Sequence, residues 1–360
     1  MKENVKKLRE SNIELCRIIC MLMIIAHHCV VHGGGIGMEV CTNKYISLFL
    51  FPGGKLCFDT FLAISMWFLV DQTFKAERFF KTWGQVFFYS VSFFVISVFM
   101  GTEVTKGNVF SVFFPITGNS HGFASSYLAF YLLLPALNYI AKNITKNQAK
   151  WIVLVLFYVE VISQLIGSVS GYYQPIYNEL VLFVLCYFIA LYLKRYPFKI
   201  LSYKWLMLGI AVCAWLCVYV LWCMATIYMP GNATISFLMG LCRDESSILY
   251  IVGGYALFFF FYNIKIPTIA WINKIAHTTF GTLLFHDHNF FRYILWGNIV
   301  CAYEWYYSKW FVARILLWTF IIFVLGIVLE FLRQNVIEKF VFSRKCVQNM
   351  LGKVDAFLKN

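Results

Sequence analysis

Apolar runs of about twenty residues recur along this chain, and each is long enough to cross the hydrocarbon of a bilayer as a helix. In lipid every such run must satisfy its own backbone hydrogen bonds, which a helix does internally. Composition points the same way. The 360 residues are 61% hydrophobic and 20% aromatic against 13% charged, with 38 Phe, a balance that soluble domains do not carry. The expected fold is an all-α polytopic membrane protein of about ten transmembrane helices.

The expected spans cover residues 13–32, 46–70, 83–101, 123–140, 151–168, 177–193, 204–224, 247–263, 275–297 and 310–332. Phe51-Pro52-Gly53-Gly54 is expected to break the start of the second. Basic residues gather at the N-terminus, in 75–81, 142–150 and 194–204, at Lys265 with Lys274, and in the tail. With ten spans these segments share one side, and the excess of Lys and Arg there places both termini in the cytoplasm. The net charge of +13 then reads as topology, and nucleic acid is not an expected partner. A basic stretch, 1–12, precedes a first helix that is expected to be kept, because no small-x-small cleavage site follows it. One transmembrane unit, 13–332, and a basic cytoplasmic tail, 333–360, complete the organisation. The twelve cysteines include no Cys-x-x-Cys pair and read as small apolar fillers. Cys41, Cys242 and Cys301 are the candidates for an outward-loop disulfide.

The first span carries Glu14, Arg17, His27, His28 and His32. Ionisable groups at membrane depth are held toward a protein interior or a water-filled cavity. Arg17 and His28 are eleven positions apart, about three turns, so they share a face with roughly 16 Å between them along the axis. Such a pair serves two ends of one long substrate, or two steps of a relay. His28 lies roughly 22 Å beyond Ile13, in the outer part of the core. His286-Asp287-His288 falls at or beyond the middle of the ninth span, and His121 at the outer end of the fourth. The histidines of different helices are therefore expected at similar depth. Imidazole both takes and returns a proton near neutral pH, which suits deprotonation of a hydroxyl attacking a thioester. A nearby Asp or Glu would orient the ring.

The plainer readings are structural. A histidine near a helix end is often interfacial, which is the reading for His27, His32 and His277. His28 and His32 at i, i+4 are a weak metal signal without an accompanying Glu pattern, and no metal is expected. Arg17 pairs readily with Glu14 at i, i+3. Lys75, Arg78 and Lys81, at three-residue spacing, either hold phosphates or anchor the chain at the membrane surface. Arg292 either binds an anionic acceptor or snorkels to the interface.

Several stretches resemble one family. Arg17, ten residues and His28, set in Asn12-Ile13-Glu14-Leu15-Cys16-Arg17-Ile18-Ile19, resemble the Arg-x10-His signature of the acyltransferase 3 family of integral membrane acyltransferases. Phe61-Leu62-Ala63-Ile64-Ser65-Met66-Trp67-Phe68-Leu69 is similar to its Phe-x-x-Ile-Ser-Gly-Tyr-Phe-Leu segment, and Lys75–Lys81 to the basic motif after it. The helix from Tyr127 to Asn138 and Gly281-Thr282-Leu283-Leu284-Phe285-His286 resemble two further family stretches. The resemblance implies transfer of an acyl group, usually acetyl from cytoplasmic acetyl-CoA, to a hydroxyl of a cell-envelope polysaccharide or lipid-linked glycan precursor. It implies His28 as the base, Arg17 as its signature partner and His286 as a lesser catalytic candidate. Arg78, with Lys75 and Lys81, is implied on the donor side. Met66-Trp67 stands where the family has Gly-Tyr, and lysines at 75 and 81 where paired arginines are common.

The expected protein is thus a multi-pass enzyme of the bacterial inner or plasma membrane. It meets acyl-CoA, a carbohydrate or lipid-linked acceptor, and membrane lipids, with no permanently bound cofactor. The rivals are a secondary transporter of an anion or glycan intermediate, which would favour internal repeats not found here, and an inactive scaffold in polysaccharide assembly.

Overall fold

The computed structural model describes residues 10–119, 121–163 and 179–357, and among these every regular element is helical. In chain order come α1 (Ser11–Val31), α2 (Thr42–Leu69), α3 (Ala76–Phe99), α4 (Lys106–Phe113), α5 (Gly122–Asn143) and α6 (Lys146–Phe157). Then follow α7 (Glu179–Arg195), α8 (Lys204–Cys223), α9 (Ala233–Gly240), α10 (Ile248–Tyr262) and α11 (Ala270–Ala276). The last are α12 (Thr279–His286), α13 (Asn289–Tyr293), α14 (Phe311–Arg333), α15 (Lys339–Phe342) and α16 (Lys345–Phe357).

Six described helices are long and apolar enough to cross a membrane: α1, α2, α3, α5, α8 with its π-helical extension to Tyr228, and α14 extended to Phe342. The chain is a multi-pass membrane protein. The other expected spans map onto shorter pieces: α6, α7, the 15-residue α10 and a broken segment from Ala270 to Val300. Residues 164–168 of the expected fifth span, 177–178 of the sixth, 1–9 of the basic N-terminus and 358–360 of the tail lie outside the described residues.

α1 is enclosed. It packs along α2 and also meets α10, α11, α12 and α14. Its first turn is tied down by side chains. Asn12 donates to the carbonyls of Phe261 and Ile264 at 2.9 Å each, where α10 ends and its last carbonyls lack helical partners. Ser11 donates to Asn273 at 2.9 Å and accepts from the Ile269 amide at 2.7 Å.

Three expectations change. Pro52 does not break the second span, for α2 begins at Thr42 and runs through it. Gly53 and Gly54 serve close approach instead. A Cβ on Gly53 would lie 2.5 Å from the Trp215 ring, and one on Gly54 would collide with the His27 ring. Residues 75–81 are not a link between spans, because α3 starts at Ala76 and the basic residues occupy its first turns. The segment expected as one span over 275–297 is α11, α12, α13 and a π-helical stretch, with breaks at His277-Thr278 and Asp287-His288. At the first break the Thr278 and Thr279 hydroxyls donate to the Ile275 and Ala276 carbonyls at 2.7 and 2.8 Å, meeting the demand the helix end leaves open. At the second, His288 Nδ1 accepts from the Phe290 amide at 3.3 Å. Cys41, Cys242 and Cys301 are all free thiols.

Candidate active site

A cavity of about 600 Å³ runs beside α1. Arg17, Met21, Ile24, His28 and His32 line it from that helix, at the three- and four-residue steps that keep side chains on one face. Phe58, Phe61 and Ser65 come from α2, Phe123 and Tyr127 from α5, and Phe280 and Leu283 from α12. The middle is therefore apolar and aromatic, with polar groups at both ends. That is the usual make-up of a site for a small molecule.

At one end the break after α12 places Asp287 among four basic side chains. Arg292 Nε lies 2.7 Å from its Oδ1, His28 Nδ1 and His32 Nε2 are each 3.8 Å from the same oxygen, and His121 Nε2 is 4.0 Å from Oδ2. His28 Nδ1, His121 Nε2 and Asp287 Oδ1 are buried without a hydrogen-bond partner, so these atoms face one another at ion-pair range. His286 stands behind His28, outside the cavity wall, with ring centroids 5.2 Å apart. Its Nδ1 donates to the Thr282 carbonyl at 2.6 Å. That bond leaves the lone pair on Nε2, which is buried and has no partner. Trp296 closes the group, edge-on to both rings, with its indole N–H donating to the His286 carbonyl at 2.9 Å. Glycines set the level of α12 against α14. A Cβ on Gly326 would lie 2.6 Å from the Thr282 methyl, and one on Gly281 would collide with Glu330.

His28, His32 and Asp287 each offer one potential ligand atom within 4.8 Å of the others, a spacing wider than bonds of about 2.0–2.2 Å to one ion would leave. The Arg292 guanidinium already stands against the same carboxylate oxygen where such an ion would sit.

The remaining polar wall at this end was not foreseen. Lys55, one turn before the buried Asp59 in α2, pairs with Glu245 at 2.5 Å. Burial would raise the Glu245 carboxyl, but the Lys55 ammonium outweighs it and holds the group below its ordinary value. Asp244, in the same loop, is pushed up by burial. Both line the cavity with Arg243, Glu179 and Trp222. Lys55 and Asp59 inside an apolar run are the available signal, since such charges need partners at membrane depth.

At the other end Arg17 lines the cavity, with its Nε 3.9 Å from Glu14. Tyr127 lies within electrostatic reach of both Arg17 and Arg78. Ser65, Thr82 and Gln85 complete this end.

An acyltransferase domain of the acyltransferase 3 family matches residues 10–332. The chain belongs to that family. No curated protein and no solved structure matches it.

In this acyltransferase-family chain the signature pair, Arg17 and His28, lines a single cavity from opposite ends. The basic motif lies outside the cavity wall. Lys75 and Arg78 are exposed, with Arg78 facing the Tyr131 hydroxyl. Lys81 is paired with Glu77 at 2.9 Å and with Glu338 at 3.6 Å, and lies over the Phe342 ring. The Met66-Trp67 departure does not enter the cavity. Met66 is buried, and Trp67 packs on Phe258, Phe259 and Tyr262 of α10 with centroids 5.4 Å away. The altered residues therefore fill a helix–helix contact. His27 takes a structural part, its Nδ1 donating to the Phe51 carbonyl at 2.6 Å. His288, wholly buried, pairs through Nε2 with Ser90 at 3.1 Å.

Proposed function

We propose that this protein transfers a short acyl group, acetyl first among them, from acyl-CoA to a hydroxyl of a cell-envelope polysaccharide or lipid-linked glycan precursor at the bacterial inner or plasma membrane. The observation that carries the reading is the single cavity with a guanidinium at one end and an imidazole at the other. Eleven helical residues separate the two by roughly 16 Å, so a long thin donor entering past Arg17 presents its thioester near His28. Arg78 and Lys75, near the Arg17 end, are the groups that would meet the donor's phosphates from the cytoplasmic side. Lys81 is a weaker candidate because two carboxylates already neutralise it.

In this mechanism the acceptor hydroxyl approaches His28 Nε2, the ring nitrogen that is not sealed off. Its oxygen attacks the thioester carbonyl as Nε2 takes the proton. A carbon–oxygen bond forms, the carbon–sulfur bond breaks, and the imidazolium returns the proton to the departing thiolate. His286, locked in one neutral tautomer, supports the His28 ring from behind. The polar wall of Lys55, Asp244, Glu245 and Trp222 is where the acceptor's other hydroxyls would find partners.

The test is transfer of radiolabelled acetyl from acetyl-CoA into the envelope carbohydrate fraction, comparing wild type with His28→Ala at matched membrane expression. Label with wild type alone supports the reading. Equal label in both removes His28 from the mechanism. No label in either rejects this pairing of acetyl-CoA donor and envelope carbohydrate acceptor, and proton-coupled uptake in vesicles would then favour transport.

A further inference from the structure

Asp287 belongs neither to the signature nor to the basic motif, yet four basic side chains reach it from three stretches of chain. His28 and His32 come from α1, His121 precedes α5, and Arg292 lies in α13. The carboxylate stands at the break after α12, where backbone bends away from helical geometry (φ −122°, ψ 19°) and its side chain turns into the cavity. Without that break the residue would continue the helix that carries His286.

We infer that Asp287 is a positioning residue for acyl transfer: it turns the His28 ring so that Nε2 faces the acceptor, and balances the imidazolium that forms when the proton arrives. The inference rests on the proposed role of His28 as base. Three observations lead to it. His28 Nδ1 is buried without a hydrogen-bond partner, and it lies 3.8 Å from Asp287 Oδ1, the oxygen that Arg292 also faces. That gap exceeds a hydrogen bond of about 2.7–3.2 Å by less than an ångström, and such contacts often tighten only with substrate bound. No other acid lies within ion-pair range of His28 among the described residues.

Arg292 explains how a carboxylate is kept there at rest. Its Nε is 2.7 Å from Oδ1, and its Nη2 donates to the Asp287 carbonyl at 3.2 Å, so charge and backbone are held by one guanidinium. When the hydroxyl proton reaches His28 Nε2, the new cation adds to an anion already in place. The proton leaves from Nε2 to the thiolate. His121 Nε2 faces the second oxygen at 4.0 Å.

The decisive experiment measures kcat and donor KM with acetyl-CoA for the full-length protein and four variants. Asp287→Asn keeps shape and removes charge. It is expected to lower kcat by roughly 10²-fold or more with donor KM changed by less than about twofold, because the donor is gripped at the far end of the cavity. Asp287→Glu should recover part of the loss, which a purely space-filling role would not permit. Because Asp287→Asn also strands Arg292, the double variant Asp287→Asn with Arg292→Gln removes the uncompensated charge and should fold normally while keeping the kcat defect. Recovery of kcat in that double variant would overturn the inference, since the carboxylate would then serve only to neutralise Arg292. Wild-type kcat in Asp287→Asn would overturn it directly. His28→Ala separates the two levels. If it is inactive while the double variant is active, only the role of Asp287 falls. If it is active, the role of His28 falls and that of Asp287 with it.

Discussion

At the His28 end of the cavity four basic side chains close on one half-buried carboxylate, whereas at the Arg17 end the cations stand around the start of α3 and one of them, Lys81, is answered by two acids. In the first arrangement His28 Nδ1 and His121 Nε2 are buried without a hydrogen-bond partner. In the second, Lys75 and Arg78 are exposed, and Lys81 is shared between Glu77 and Glu338. Under the proposed function the contrast separates two chemical tasks. Proton transfer needs a shielded site in which a small displacement of a charge matters, because electrostatic effects grow as water is excluded. Gripping a polyanion at a membrane surface needs several cations in reach of water, each contributing modestly.

Mutations can break or sharpen that contrast. The largest effect is expected from His28→Ala, which should lower kcat by roughly 10³-fold, within the 10²–10⁴ that general base catalysis contributes, and leave acetyl-CoA KM nearly unchanged in single-turnover and steady-state assays. A rise in KM with kcat preserved would move His28 to the donor side. Arg17→Ala is next. Loss of a charge-assisted contact inside the cavity should raise donor KM by roughly 10-fold or more, read by CoA binding to detergent-solubilised protein. Arg78→Ala should raise it by about 3-fold to 10-fold and weaken further with salt, since this guanidinium is exposed. Lys81→Ala should change donor KM by less than about twofold, because its charge is already neutralised. A larger effect than that of Arg78→Ala would show that Lys81 leaves Glu77 and Glu338 to meet the donor.

The tail marks a second difference between the two ends. Arg333 is buried at the end of α14, where it grips Glu330 at 2.8 Å and Glu338 at 2.7 Å, and Glu330 accepts from the Tyr89 hydroxyl at 3.1 Å. Asp355 of α16 accepts from the Ala76 amide at 2.7 Å, capping the start of α3. The last helices thus pin the helix that carries the basic motif. The histidine end takes its geometry from the interrupted segment and from the glycine contacts between α12 and α14.

Much of the site could be read in the sequence, and the reason is helical geometry. Eleven residues at 100° each put Arg17 and His28 on one face whatever surrounds them, and both line the cavity. The similar depth expected for His28, His121 and His286 follows from counting residues along spans, and all three meet around Asp287 and Trp296. What went unread came from places where a helix departs from regularity. The sequence reads straight through the break after His286 as continuous span, which hides the turn that brings the Asp287 side chain into the cavity. Pro52-Gly53-Gly54 looked like an interruption, because glycine and proline signal turns when no neighbour is known. Here the glycines admit the rings of Trp215 and His27.

The sequence by itself determined a membrane-embedded helical bundle, the family, and the shared face of Arg17 and His28. Each of these depends only on local composition, motif and the pitch of one helix. Only the tertiary structure decided that residues 28, 121, 287 and 292 converge, that the basic motif lies outside the cavity wall, and that Lys55 finds Glu245. Those relations join residues far apart in the chain. They are set by how closely helices approach at Gly54, Gly281 and Gly326, and by where α12 ends.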